Sequence, residues 1–165
     1  MAPASPRPIH ISPVKTESDL SAVRQLFEAY ARSLTVDLCY QGFPEELAGL
    51  PGRYSPPGGA LLLARDTADR ALGCVALRPL SPPVCCEMKR LYVAPEGRGL
   101  GLGKALVQAV MTEAMQLGYR EVRLDTLPDM TEAIALYRQL GFQSIAPYYD
   151  TPVAGTLFLG RSLSS

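Results

Sequence analysis

The sequence has no excess of either charge: 16 basic residues meet 16 acidic ones, and the pI is near 6.6. That excludes a broad cationic face of the kind that grips nucleic acid, but not a local cationic pocket for a phosphate. Histidine occurs once, as His10, and the four cysteines (Cys39, Cys74, Cys85 and Cys86) form no CxxC pair. A zinc site needs about four converging ligands, so no metal is expected. Cys85 and Cys86 are adjacent and would point to opposite faces of a strand. Unpaired thiols of this kind suit a reducing cytoplasm. No apolar run approaches the roughly 20 residues of a membrane helix, so no membrane partner is expected. Met1 to Pro8 holds three prolines and no apolar core, which reads as a flexible tail over 1–8 rather than a signal peptide.

What remains, 9–165, has ordinary globular composition, 47% apolar and 19% charged over the 165-residue chain. One domain of this size buries roughly 70% of its unfolded surface and needs no disulfide. Ile9 to Lys15 reads as a first strand. Ser18 or Asp19 is a candidate cap for a helix to about Leu34, whose apolar residues recur at spacings of three and four. Thr35 to Gly59 is rich in proline and glycine, with room for one short helix over Pro44 to Leu50. Such an insert is either a binding loop or a plain connector. Strands follow at Ala60 to Arg65, Ala71 to Arg78 and Cys85 to Ala94, then a helix over Gly101 to Leu117 with Gly118 as its stop. Glu121 to Thr126 is a strand, Asp129 or Thr131 opens a helix ending near Leu140, and Phe142 to Ala146 and Thr156 to Leu163 are the last strands. The order implies an α/β (mixed α+β) fold, a mixed sheet covered by helices.

The chemistry concentrates in Leu91-Tyr92-Val93-Ala94-Pro95-Glu96-Gly97-Arg98-Gly99-Leu100-Gly101-Leu102-Gly103-Lys104, which ends a strand and opens a helix. Amides at a helix start lack intrahelical partners and sit at the positive end of the dipole, and glycines let an anion approach them. A phosphate or pyrophosphate site is expected. The Walker pattern fails because Arg98 and Ala105 stand where Gly and Ser/Thr are needed, and GxGxxG fails in every register.

Arg-Gly-x-Gly-x-Gly after a strand ending Leu-Tyr-Val-x-Pro resembles the acetyl-CoA loop of the GNAT N-acetyltransferase superfamily, whose pattern is Arg/Gln-x-x-Gly-x-Gly/Ala. Arg98, Gly101 and Gly103 match the fixed positions and Gly99 the commonest spacer. Glu87 to Val93 is similar to the family's fourth strand, and Ala133 to Phe142 to its late helix and following strand. The resemblance covers about Ala60 to Leu163. It departs at Met130, where many members carry an asparagine that touches the cofactor.

The resemblance implies a GNAT fold, a twisted mixed sheet of six to seven strands flanked by about four helices. It implies an acyltransferase that moves acetyl from acetyl-CoA directly to a primary amine in a ternary complex. The amides of Gly99, Leu100, Gly101, Leu102, Gly103 and Lys104 would hold the pyrophosphate, with Arg98 as a charge partner. Leu91, Tyr92 and Val93 would offer main-chain groups to the pantetheine arm and one N–H to the thioester carbonyl, worth ~3 kcal/mol in the transition state.

Tyr137 would protonate the leaving thiolate, although it also lies on an apolar helix face with Ala133, Ile134 and Leu140. Glu87, six residues before Val93, is the candidate base or else a strand-edge charge partner. Gln41, Arg53, Tyr54, Tyr148 and Tyr149 are candidates for holding the acceptor. An arginine at 53 would suit the carboxylate of a free amino acid or similar small-molecule amine. A homodimer is compatible with the resemblance. A protein amine as acceptor, a non-catalytic acyl-CoA sensor and an unrelated phosphate-binding domain stay open.

Overall fold

The computed structural model describes residues 8–163, so the tail expected over 1–8 lies almost wholly outside the described residues. The elements are β1 (Ile9–Pro13), α1 (Glu17–Ser33), α2 (Phe43–Ala48), β2 (Ala60–Asp66), β3 (Ala71–Pro79), β4 (Cys85–Val93), α3 (Leu102–Gln116), β5 (Glu121–Thr126), α4 (Thr131–Gln139), β6 (Gln143–Ser144) and β7 (Leu157–Ser162), with short 3₁₀ turns between some of them. The strands form one seven-stranded sheet in the order β1-β2-β3-β4-β5-β7-β6. Every pairing is antiparallel except β4 with β5.

Helices cover both faces. On one, α3 and α4 pack Leu106, Val107, Val110 and Tyr137 against Val75, Leu77, Val122 and Leu124. On the other, α1 and the insert pack Val23, Phe27, Leu38 and Tyr54 against Leu61, Leu63, Cys74 and Ala76. Double coverage explains why β2 and β3 are near-continuous apolar runs rather than alternating ones.

Local differences from the expectations have local causes. Helix α1 is capped by Thr16, whose hydroxyl accepts from the Asp19 amide while Asp19 reaches back to the Thr16 amide, a capping box. Helix α2 starts one residue before Pro44 because Gly42, at φ 72°, turns the chain into it. Met130 occupies the cap position of α4 with no side-chain bond. The expected strand over Phe142 to Ala146 shrinks to two residues, because Phe142 is buried against Tyr137 instead of standing in the ladder.

Two irregularities position the site. Between β3 and β4 the register passes from Ala76↔Lys89 to Cys74↔Tyr92, so β4 carries one extra residue, a bulge, and Arg90 adopts φ 61°. Lys89 and Arg90, which strict alternation would send to opposite faces, both reach the same Gln41 oxygen. The second irregularity is the short parallel pairing of β4 and β5, which covers only Cys85, Cys86 and Glu87 against Glu121, Val122 and Arg123. Beyond Glu87 the two strands part.

Candidate active site

The gap left by the parting strands is a cavity of about 40 Å³ lined by Met88 to Leu91 of β4, Leu124 to Leu127 at the end of β5, Met130 and Tyr137, and Tyr30, Leu34, Leu38, Tyr40 and Gln41. It shares Tyr30, Leu91 and Met130 with an adjoining open cleft of about 700 Å³. That cleft runs along Tyr92, Val93, Arg98, Gly99 and Gly101 to Lys104 and the first turn of α4.

The glycine loop is built as an anion cradle. Gly99 and Gly101 have φ of 80° and 72°, and a Cβ at either would meet no atom within 4 Å. Their lack of a side chain serves the backbone turn and leaves the space in front of it open. Gly97 differs: a Cβ there would stand 3.2 Å from the Leu72 carbonyl and from Val93, so it serves packing. Gly101 caps α3 with no side-chain bond, and the first helical bond is from the Ala105 amide to the Gly101 carbonyl at 3.1 Å. The amides of Leu102, Gly103 and Lys104 are therefore without intrahelical partners, at the positive end of a 15-residue helix. Arg98 donates to the Val93 carbonyl at 3.2 Å and lines the same cleft, while the Leu100 side chain is exposed outside it.

The chain matches the Acetyltransferase (GNAT) family over residues 22–142. The chain belongs to the GNAT family. It is 42% identical over 159 residues to an uncharacterized N-acetyltransferase of Schizosaccharomyces pombe, covering 96% of this chain and 98% of that one. An acetyltransferase of the GNAT family from Staphylococcus aureus shares the fold, with a TM-score of 0.78, 20% identity and coverage of 95% and 100%. So does a Salmonella typhimurium protein solved with its cofactor acetyl-CoA, with a TM-score of 0.70, 19% identity and 94% of each chain covered. This GNAT protein is an N-acetyltransferase.

Within the N-acetyltransferase, Tyr137 lines the cavity from α4, edge-on to Phe142. Burial pushes its phenol well above the ordinary 10, so the proton is retained at neutral pH. Tyr30, across the gap, is pushed up to about 12 by burial, with Arg90 opposing. Glu87 is fully buried, and both its oxygens are engaged: Arg78 donates to one at 2.7 Å, with Lys89 3.8 Å from the same atom, and the Tyr148 hydroxyl donates to the other at 2.6 Å. It does not line the cavity. Of the two readings of Glu87, the geometry favours the charge partner: it ties together β3, β4 and the chain after β6.

The carboxylate that faces the cavity is Asp125, which accepts a hydrogen bond from Tyr149. Tyr148 and Tyr149 are thus each hydrogen-bonded to an acid and stacked edge-on with each other and with Phe158. Gln41 lines the cavity, accepting from Lys89 at 3.3 Å and Arg90 at 2.9 Å. Burial pulls the Lys89 pKa down, with Glu87 opposing.

Arg53 and Tyr54 do not reach the cavity. Tyr54 is a core residue, edge-on to Phe27. Arg53 is held outside by the Pro79 carbonyl at 3.2 Å. Gly59, where a Cβ would stand 2.5 Å from the Arg53 carbonyl, lets the backbone pack this turn tightly.

The insert divides accordingly. Its first turn, Leu38–Gln41, forms a wall of the cavity, held by Arg90 through a two-pronged pair with Glu46 at 2.9 and 3.0 Å and by stacking on Phe43. Lys89, Asp125, Thr126 and Tyr30 were missed from the sequence. The alternating pattern of β5 marks Asp125 and Thr126 as facing opposite sides, but nothing local marks where the sheet opens.

Among the described residues, no helix is long and apolar enough to cross a membrane.

Proposed function

We propose that the enzyme uses acetyl-CoA to acetylate the primary amine of a small molecule. The observation carrying this is the open, left-handed Gly99 and Gly101 at the head of α3, directly beside the gap between β4 and β5. The residues fit the donor: Gly99 to Lys104 present amides to a pyrophosphate, and Leu91 to Val93 line the route from that cradle into the gap. Acetyl-CoA, when bound, supplies an acetyl group activated as a thioester.

The protein's part is to orient, to stabilise charge and to move protons. Tyr137 holds its phenolic proton in the gap and is the group to protonate the departing thiolate. Asp125, rather than Glu87, is the carboxylate placed to attract the acceptor ammonium and receive its proton. Lys89, rather than Arg53, is the cation that could meet an acceptor carboxylate, which keeps a free amino acid among the candidate acceptors. The wall formed by Leu38, Tyr40 and Gln41 supports a small acceptor. The reading takes 9–165 as one catalytic domain, in a reducing cytoplasm that suits four free thiols, and is compatible with a homodimer.

Thiol release from acetyl-CoA across a panel of amino acids, polyamines and peptides tests this. A small amine is expected to turn over, and Tyr137→Phe to lower kcat by roughly 10²-fold with CoA affinity kept. Turnover with peptides alone would overturn the acceptor class, and full turnover in Tyr137→Phe would remove Tyr137 as the acid.

A further inference from the structure

Thr126 ends β5, three residues past the last pair that joins β5 to β4. It is 6% exposed, and its hydroxyl oxygen is the one buried side-chain N or O atom without a hydrogen-bond partner among the described residues. An unpaired buried hydroxyl is destabilising, and native proteins rarely leave one unmet. Valine has the same shape and suits a strand as well, so packing does not account for the hydroxyl.

The same residue lines the cavity between the parted strands. Alternation along β5 puts Thr126 on the side of Val122 and Leu124, the face packed under α3 and α4. Around it the cavity wall is Leu124, Leu127, Met130 and Tyr137, none of them charged. The ionic groups Lys89, Arg90 and Asp125 line the same cavity, but they face the opposite side of the sheet, toward the insert and the tyrosine pair. The cavity therefore has a charged side, suited to an ammonium acceptor, and an uncharged side holding one unmet hydroxyl and one phenol. An uncharged hydrogen-bonding group suits the second side, because a charged one would be desolvated there without a counter-ion.

We infer that the Thr126 hydroxyl is a binding contact for a neutral amide or thioester group on the arm of the acyl donor, lying in the gap between β4 and β5. This rests on the acetyl-CoA reading above. Thr126 makes its missing hydrogen bond only when the donor is bound, so the site is held in a state that the donor relieves.

The test compares wild type, Thr126→Val and Thr126→Ser, by thermal unfolding without ligand and by calorimetric titration with acetyl-CoA, with CoA, and with the nucleotide half of CoA lacking the pantetheine arm. Thr126→Val is expected to unfold at the same or a higher temperature without ligand. It is expected to bind acetyl-CoA roughly five- to ten-fold more weakly and the nucleotide half unchanged. Thr126→Ser is expected to keep near wild-type affinity. A loss seen with both acetyl-CoA and CoA assigns the contact to an arm amide, and a loss seen with acetyl-CoA alone assigns it to the thioester.

Wild-type affinity for acetyl-CoA in Thr126→Val would overturn the inference, as would an equal loss for the nucleotide half. So would a lowered unfolding temperature with affinity kept, which marks a purely structural hydroxyl. If wild type binds neither acetyl-CoA nor CoA, the donor reading falls as well, an outcome distinct from a failure of Thr126 alone.

Discussion

Replacing Gly103 by alanine separates what the cradle does for binding from what it does for folding. Gly103 is the second residue of α3 and is not among the glycines with positive φ. A Cβ there would stand 3.5 Å from Leu136 and 3.9 Å from Val93, both ordinary contact distances, so the fold can accept it without a clash. Alanine is favoured over glycine inside a helix by about 0.8–1.0 kcal/mol, and less in the first turn. The ligand-free protein should gain about 0.5 kcal/mol, a rise in Tm of roughly 1–2 °C. That methyl group meets side-chain carbons of Leu136 and Val93 and no backbone atom, although the residue borders the large cleft beside the unpartnered amides of Leu102 to Lys104. The pattern that the loop resembles takes Gly or Ala at this position, so the amides stay open and affinity for CoA should stay within about two-fold of wild type. Scanning calorimetry of the ligand-free protein and titration with CoA read the two effects separately. A roughly ten-fold loss of CoA affinity in a variant that folds normally would refute this placement of the amides, and a loss of several degrees in Tm would refute the packing argument.

Glu87→Gln leaves the part-buried Arg78 and the nearly buried Lys89 facing a neutral, fully buried amide. It should cost about 3 kcal/mol, lowering Tm by roughly 6–12 °C, while the acid limb of the pH–rate profile measured below that Tm stays in place. A vanished acid limb with an unchanged Tm would make Glu87 the base after all.

Alkali should unfold the protein through its phenols. Tyr30, Tyr54, Tyr137, Tyr148 and Tyr149 are all raised from the ordinary 10.0, chiefly by burial. The unfolded chain therefore loses these protons first, so their contribution is fully present below about pH 10 and is lost as pH rises beyond it. Lys89, lowered by burial, works in the opposite sense below its unfolded 10.5, but it is one group against five. Tm followed by circular dichroism should begin to fall as pH passes about 9, where the unfolded thiols of Cys74, Cys85 and Cys86 ionise ahead of their buried folded forms, and fall further beyond pH 10; a Tm that climbs through pH 10 would show the phenols to be solvated.

Most of the fold was legible because its signals are local. The apolar spacing of three and four in α1, the run of apolar residues in β2 and β3, and the stop at Gly118 each depend on residues within a few turns or a strand of one another, although the cap of α1 falls at Thr16 and not at Ser18 or Asp19. The cradle was legible for the same reason: the backbone conformations at Gly99 and Gly101 and the free amides of α3 are properties of a single short segment. The acceptor side was not. Arg53 and Tyr54 carry suitable chemistry and stand in a loop of suitable composition, yet one is tied to the Pro79 carbonyl and the other packs on Phe27.

The sequence by itself therefore determined the family, the order of elements and the open glycine loop at the head of α3, because each is written in neighbouring residues. Only the tertiary structure decided that Asp125 and not Glu87 faces the cavity, that Lys89 and Arg90 turn to the same side, and that the Thr126 hydroxyl has no hydrogen-bond partner among the described residues. Those outcomes depend on where β4 bulges against β3 and where β4 and β5 part, and neither the register with the preceding strand nor the end of a pairing with one over 30 residues on leaves a mark in β4 alone.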